Sequence, residues 1–160
     1  MITRIQNYSL SDIRDGLKYL LDKAADSQEV RQLAIEITAD NQDPIAAIYD
    51  FVRNTVRYIP DPVANGQMEL FISPVRMVKD YRSGMVLGGD CDDQALLTTA
   101  LLRSIGIRAN VVLIDQTGNG LDHAFCQAYS DKLGTWVSVD ASAPQVPLGW
   151  EIRYQSKIVI

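Results

Sequence analysis

Residues 88–109 read GGDCDDQALLTTALLRSIGIRA. From Cys91 to Ile105 the apolar side chains Ala95, Leu96, Leu97, Ala100, Leu101, Leu102 and Ile105 spread nearly all round a helical projection. A helix with no polar face has nothing to offer water, so it belongs inside the molecule. Gly106 is the expected C-terminal cap. Ahead of the helix, Gly88 and Gly89 release the backbone and Asp90 stands where an N-cap is wanted.

Working outward from this helix, the periodicity on its C-terminal side switches to two. Residues 109–114, 123–129 and 135–140 read as strands separated by turn clusters, and 157–160 is a weaker fourth. On the N-terminal side the pattern is helical. Ile13, Leu17, Leu20 and Leu21 form one stripe from about Ser11 to Ala25. Residues 26–29 resemble a cap, after which Val30, Leu33, Ala34 and Ile37 repeat the stripe. Asp43 followed by Pro44 starts a third helix, with Ile48, Phe51, Val52 and Thr55 on its apolar face. It is expected to stop near Tyr58, because Pro60 and Pro62 disfavour helix before them. Residues 59–72 read as an irregular connection. Ser73–Pro74 opens a short helix to about Arg82, Ser83–Gly84 ends it, and Val86–Gly89 reads as a loop. The expectation is an α+β fold in which a buried helix packs on an antiparallel sheet. No repeat or linker divides residues 1–160, so they read as one domain whose N-terminal part, 1–58, is helical.

Composition narrows the function. The chain has 160 residues, of which 47% are hydrophobic, so it can bury a core without disulfides or metal. Ten glycines and six prolines are too few for a fibrous chain. Fifteen basic against 20 acidic residues leave a net charge of −5, the wrong sign for a phosphate-backbone binder. The basic groupings Arg53/Arg57 and Arg76/Lys79/Arg82 have ordinary helix-surface spacing. Nucleic acid is therefore not an expected partner. The longest aliphatic run, Val111–Ile114, falls far short of the roughly 20 residues that span a bilayer. The first residues lack the apolar stretch of a signal peptide, so no membrane contact and a cytoplasmic location are expected, with carriage by a phage particle or a partner as the alternative. Cys91 and Cys126 are then expected to stay reduced.

Three residues carry the chemistry. Cys91 falls in the first turn of the buried helix, where unpaired N–H groups and the helix dipole favour a thiolate and can later face an oxyanion. Alone, such a cysteine is structural as often as catalytic. His123 is the only histidine and opens a strand; Asp140 closes another. If Tyr129 pairs with Gly134 across the loop 130–133, stepping equally along both strands brings His123 directly opposite Asp140. Ala124/Val139 and Cys126/Val137 then pair on the opposite, core-facing side. Such a carboxylate orients the imidazole and leaves its second nitrogen for a thiol. The alternative role for Cys126, a redox partner of Cys91, is disfavoured by that facing.

Residues 89–109 resemble the cysteine block of the transglutaminase-like superfamily, residues 123–129 its histidine block and 136–142 its aspartate block, in that order over about 72–142. The lead-in stretches 55–60 and 71–80 are similar to those of bacterial and phage members. The resemblance implies a papain-like core over 72–142, with Cys91 as nucleophile, His123 as general acid/base and Asp140 as the residue orienting the imidazole. Phe125 stands where a Trp is common, and only the Cys91 backbone N–H is identified as an oxyanion donor. The family holds acyl transferases, peptidases, amidases and inactive copies, so the fold alone does not name the reaction.

The expected function is thus cysteine-dependent acyl chemistry on an amide through a thioester, by a peptidase or amidase or by a transglutaminase. Its partners would be a peptide or protein amide and, for transfer, an amine acceptor. Asp90, Asp92 and Asp122 are the expected substrate-binding acids, a negative rim that favours cationic or neutral substrates. No cofactor and no metal is expected: the Asp90/Asp92/Asp93 spacing does not match a Ca²⁺ loop, and Cys91 with His123 makes a poor zinc site. The alternative is a non-catalytic papain-like scaffold used for binding or assembly.

Overall fold

A computed structural model describes residues 2–6, 9–60, 68–143 and 146–160. In chain order its elements are β1 (Ile2–Gln6), α1 (Leu10–Ala25), α2 (Gln28–Thr38), α3 (Pro44–Thr55), β2 (Val56–Tyr58), β3 (Met68–Ile72) and α4 (Pro74–Arg82). They continue with β4 (Leu87–Gly89), α5 (Cys91–Ser104), β5 (Ala109–Asp115), β6 (His123–Ser130), β7 (Thr135–Val139) and β8 (Ser156–Val159). The fold is α+β, and the main sheet is antiparallel in the order β7-β6-β5-β8.

The helix α5 lies at the centre. Every residue from Asp92 to Leu102 is buried. Strands β5 and β6 cover one flank, and α1, α2 and α3 cover the others. The all-round apolar sequence thus follows from neighbours on every side. Helix caps set the ends of these packing helices: Ser9, Ser27 and Asp43 each accept a hydrogen bond from a backbone N–H in the first turn. Buried side chains of the five helices and the sheet join in one apolar cluster. The opposite face of the sheet buries Val112, Ile114 and Phe125, with Ile152 and Tyr154 of the last segment packed against them. No helix among the described residues is long and apolar enough to cross a membrane.

Four expectations need correction. The third helix ends at Thr55, not Tyr58, and residues 56–58 form β2, where Val and Tyr suit an extended backbone. Val86–Gly89 is not simply a loop: Leu87–Gly89 pair in parallel with β2, Tyr58 standing beside Gly89. The connection 59–72 is irregular only in part, because Met68–Ile72 pair antiparallel with β1; residues 61–67 of that stretch lie outside the described residues. Backbone pairing partners this far apart leave no local sequence signal.

The fourth correction concerns register. The β6–β7 turn is residues 131–134, between the paired Ser130 and Thr135, so the partners are Cys126↔Val139, Ala128↔Val137 and Tyr129↔Trp136. Ala124/Val139 and Cys126/Val137 are not pairs, and His123 is not directly opposite Asp140. Gly134 takes a left-handed conformation at φ +66° and donates its N–H to the Ser130 carbonyl, which makes it a turn residue rather than a strand residue. Moving a turn of fixed length by one residue displaces the facing strand by two, so each side chain stays on its expected face.

Candidate active site

The site forms where the N-terminus of α5 meets the start of β6. Asp90 is the extended N-cap residue, its carbonyl accepting the Gln94 N–H at 3.1 Å, and Cys91 is the first helical residue, partly exposed. The two preceding glycines serve a purpose other than unusual backbone angles, since neither is among the positive-φ residues. A Cβ on Gly89 would lie 2.7 Å from the Cβ of Asp93, and one on Gly88 would lie 2.4 Å from the Ile59 side chain. Gly89 gives room for α5 to approach, and Gly88 gives room for the Ile59 side chain.

Asp93 is the clamp of this approach. Its carboxylate accepts the Ile72 N–H at 2.7 Å and the Asp90 N–H at 3.2 Å, joining the end of β3 to the start of α5. Asp92 is buried to 7% exposure, and its Oδ1 has no hydrogen-bond partner. Desolvation pushes its carboxyl well above the usual range, reinforced by a hydrogen bond with Asp90 and repulsion from Asp90, Asp93 and Cys91. Asp92 is thus held toward its neutral form and adds little negative charge to the rim. Oxygens of Asp90, Asp92 and Asp93 lie within 4.8 Å of one another, the one acidic group among the described residues close enough to share a cation. Against that use, both Asp93 oxygens already accept backbone N–H groups.

Across the cleft, His123 Nε2 donates to Asp140 Oδ2 at 2.7 Å, a diagonal contact between neighbouring strands. Asp140 is 2% exposed, and its other oxygen accepts the Ser142 N–H at 3.2 Å and the Ser142 hydroxyl at 2.9 Å. Phe125 stacks beside the imidazole with ring centroids 6.3 Å apart. With Nε2 committed to Asp140, Nδ1 is the nitrogen left for Cys91, which lines the same cleft. Burial alone would lower the His123 pKa; the hydrogen bonds to Asp140 and Cys91 outweigh it and raise it from 6.5 to about 10. An imidazolium is the form this pocket favours.

Cys91 and His123 line one cleft of about 260 Å³, together with Asp90, Asp92 and Asp122. Asp122 also pins the turn before it, accepting the Gln116 N–H at 3.2 Å. Cys126 lies away from the cleft, fully buried, and burial pushes its thiol up to about 12. Ser142 was not anticipated from sequence, although Asp followed two residues later by a backbone N–H donor is the pattern of an Asx turn. Tyr58, Leu121 and Ile13 also line the cleft without any local signal for that place.

The family model of the transglutaminase-like superfamily matches residues 31–141, from within α2 to just past Asp140. Among solved structures, the chain is similar to a candidate cysteine protease from Cytophaga hutchinsonii, with a TM-score of 0.55 and 23% identity over 85% of this chain and 45% of that one. It is also similar to a candidate protease from Parabacteroides distasonis, with a TM-score of 0.57 and 19% identity over 79% of this chain and 26% of that one. The chain spans less than half the length of either, and at these identities the likeness is one of fold. A search of curated proteins finds no match.

Proposed function

We propose that this chain, which belongs to the transglutaminase-like superfamily, carries out acyl chemistry on an amide bond through Cys91, His123 and Asp140. The observation that carries the reading is that the His123 imidazole, held by Asp140 at 2.7 Å on one nitrogen, lines the same cleft as Cys91.

In this reading the Cys91 thiolate attacks the amide carbon and a C–S bond forms. The carbonyl oxygen takes the negative charge and faces the Cys91 N–H, one of the free donors at the start of α5. As the intermediate collapses, the His123 imidazolium gives its proton to the leaving amine and the C–N bond breaks. The thioester that remains is resolved by water, giving a carboxylic acid, or by an amine, giving a new amide. In either case neutral His123 takes the incoming proton and Cys91 leaves as thiolate. Asp140 keeps the imidazole in one orientation and balances its charge throughout. The substrate in this reading is a peptide or protein amide. Residues 1–160 act as one unit in it, a view supported by the apolar cluster that α1, α2 and α3 share with α5.

The test is alkylation with a limiting amount of iodoacetamide from about pH 4 to about pH 9, with the label located by mass spectrometry. The expected label is on Cys91, with Cys126 untouched, and the rate falls by roughly 10²-fold in His123→Ala. Equal labelling in the wild type and His123→Ala would overturn the proposal. A thiol that is activated is then offered peptide amides with and without an amine acceptor, and the product, acid or new amide, identifies the reaction.

A further inference from the structure

The cleft beside Cys91 is small and of mixed lining. At about 260 Å³ it lies below the roughly 300–1,000 Å³ of pockets that enclose whole small ligands. That is room for one side chain and its flanking amide. Asp90 and Asp122 are among its lining residues. So are the apolar Ile13, Tyr58 and Leu121, together with Phe71, Leu113 and Ala124, which are themselves buried.

Tyr58 and Leu121 are 55% and 37% exposed, so the fold leaves apolar surface uncovered beside the thiol. Leu121 is also held in place. The Asp115 carboxylate accepts the N–H groups of Thr117, Gly118 and Gly120 at 3.0, 2.6 and 3.1 Å, while Asp122 takes that of Gln116. Burial opposes ionisation of Asp115, but these backbone bonds hold its carboxyl below the usual range. A loop tied at both ends presents its leucine without paying to order it on binding.

From this arrangement we infer that the cleft selects a peptide segment bearing one large apolar side chain, leucine or phenylalanine in size, next to the reacting carbonyl. It turns away an acidic side chain there, because Asp90 and Asp122 line the same cleft. The inference rests on the acyl-chemistry reading above and specifies its substrate.

The experiment uses N-acetyl dipeptide chloromethyl ketones carrying Leu, Phe, Ala or Glu at the first or second position from the ketone. The Cys91 thiolate displaces chloride, a C–S bond forms, and the rate is read by mass spectrometry on the full chain. At the first position from the ketone, Leu and Phe are expected to outpace Ala by roughly ten-fold or more, with Glu slowest, and selectivity confined to the second position overturns the placement. The Leu-to-Ala rate ratio is expected to fall several-fold in Leu121→Ser and in Tyr58→Ser, both substitutions at exposed positions. Equal rates for Leu, Ala and Glu at both positions, with iodoacetamide labelling still dependent on His123, overturn the selectivity and leave the acyl-chemistry reading standing. Loss of that His123 dependence overturns both.

Discussion

Two buried carboxyls, one behind His123 and one beside Cys91, have opposite surroundings. Asp140, just past β7, is 2% exposed and accepts hydrogen bonds from His123, from the Ser142 backbone and from the Ser142 hydroxyl. Asp92, in the first turn of α5, is 7% exposed, has one oxygen without a partner and sits among other acids. Burial is similar, so burial does not distinguish them. The partners do: a carboxylate with donors on both oxygens can stay charged in the interior, and one among like charges is driven toward its neutral acid. The β-sheet side of the site therefore stores a charge pair, while the helix side keeps a charge out.

The sharpest way to break this contrast is Asp140→Asn. Cys91 alkylation and any amide turnover are expected to drop by roughly 10²-fold or more. The His123 pKa is expected to fall from about 10 back toward 6.5, because its main charge-stabilising partner is gone. With one histidine in the chain, a single imidazole proton resonance reports that titration. The sign for stability follows. A pKa raised on folding stabilises the native state fully below the unfolded value of about 6.5, and that gain is lost as pH rises through about 10. Urea melts of wild type and Asp140→Asn should therefore differ most just below about pH 6.5, narrow as pH rises and converge above about pH 10; a gap that widens with pH refutes the pairing.

Asp92→Asn tests the other side. Its carboxyl is raised on folding, so it costs stability once pH rises above the ordinary carboxylate range. Removing the charge is expected to leave stability unchanged in acid and to raise it by about 1 kcal/mol at neutral pH. Destabilisation of that size at neutral pH would mean that Asp92 is a charged, partnered group after all. The smallest effect is expected from Ser142→Ala, which takes one of the three hydrogen bonds from Asp140. A loss of about 1 kcal/mol in stability and a few-fold drop in the Cys91 alkylation rate are expected. A rate unchanged within error would show that the other two bonds suffice to hold the carboxylate.

The parts of this molecule that were legible in the sequence are those encoded locally. The central helix, its glycine stop and the Asp43–Pro44 start are patterns within a few residues, and the structure places them as expected. The facing of His123 and Asp140 was legible because strand faces repeat every two residues, which a two-residue register error cannot disturb. The exact pairing was not, because it depends on Gly134 belonging to the turn. The ribbons β1–β3 and β2–β4 join segments remote in sequence and carry no local mark of their partners. The spacing sets Asp90 and Asp92 together on the rim, yet Asp92 is buried and its neighbour Asp93 clamps β3, distinctions made by residues from other parts of the chain.

The central position of α5 also bears on how the protein is made. As the chain leaves the ribosome, α1, α2 and α3 are complete before α5 emerges, but the strands that cover its other flank come afterwards. In that interval one apolar flank of α5 is bare, which makes it the stretch where a nascent chain is most prone to aggregate and most in need of a chaperone. The Cys91 thiol meanwhile has no imidazole beside it, since His123 and Asp140 have yet to be synthesised and paired. Docking of the sheet closes the exposed flank and brings His123 and Asp140 to the N-terminal end of α5.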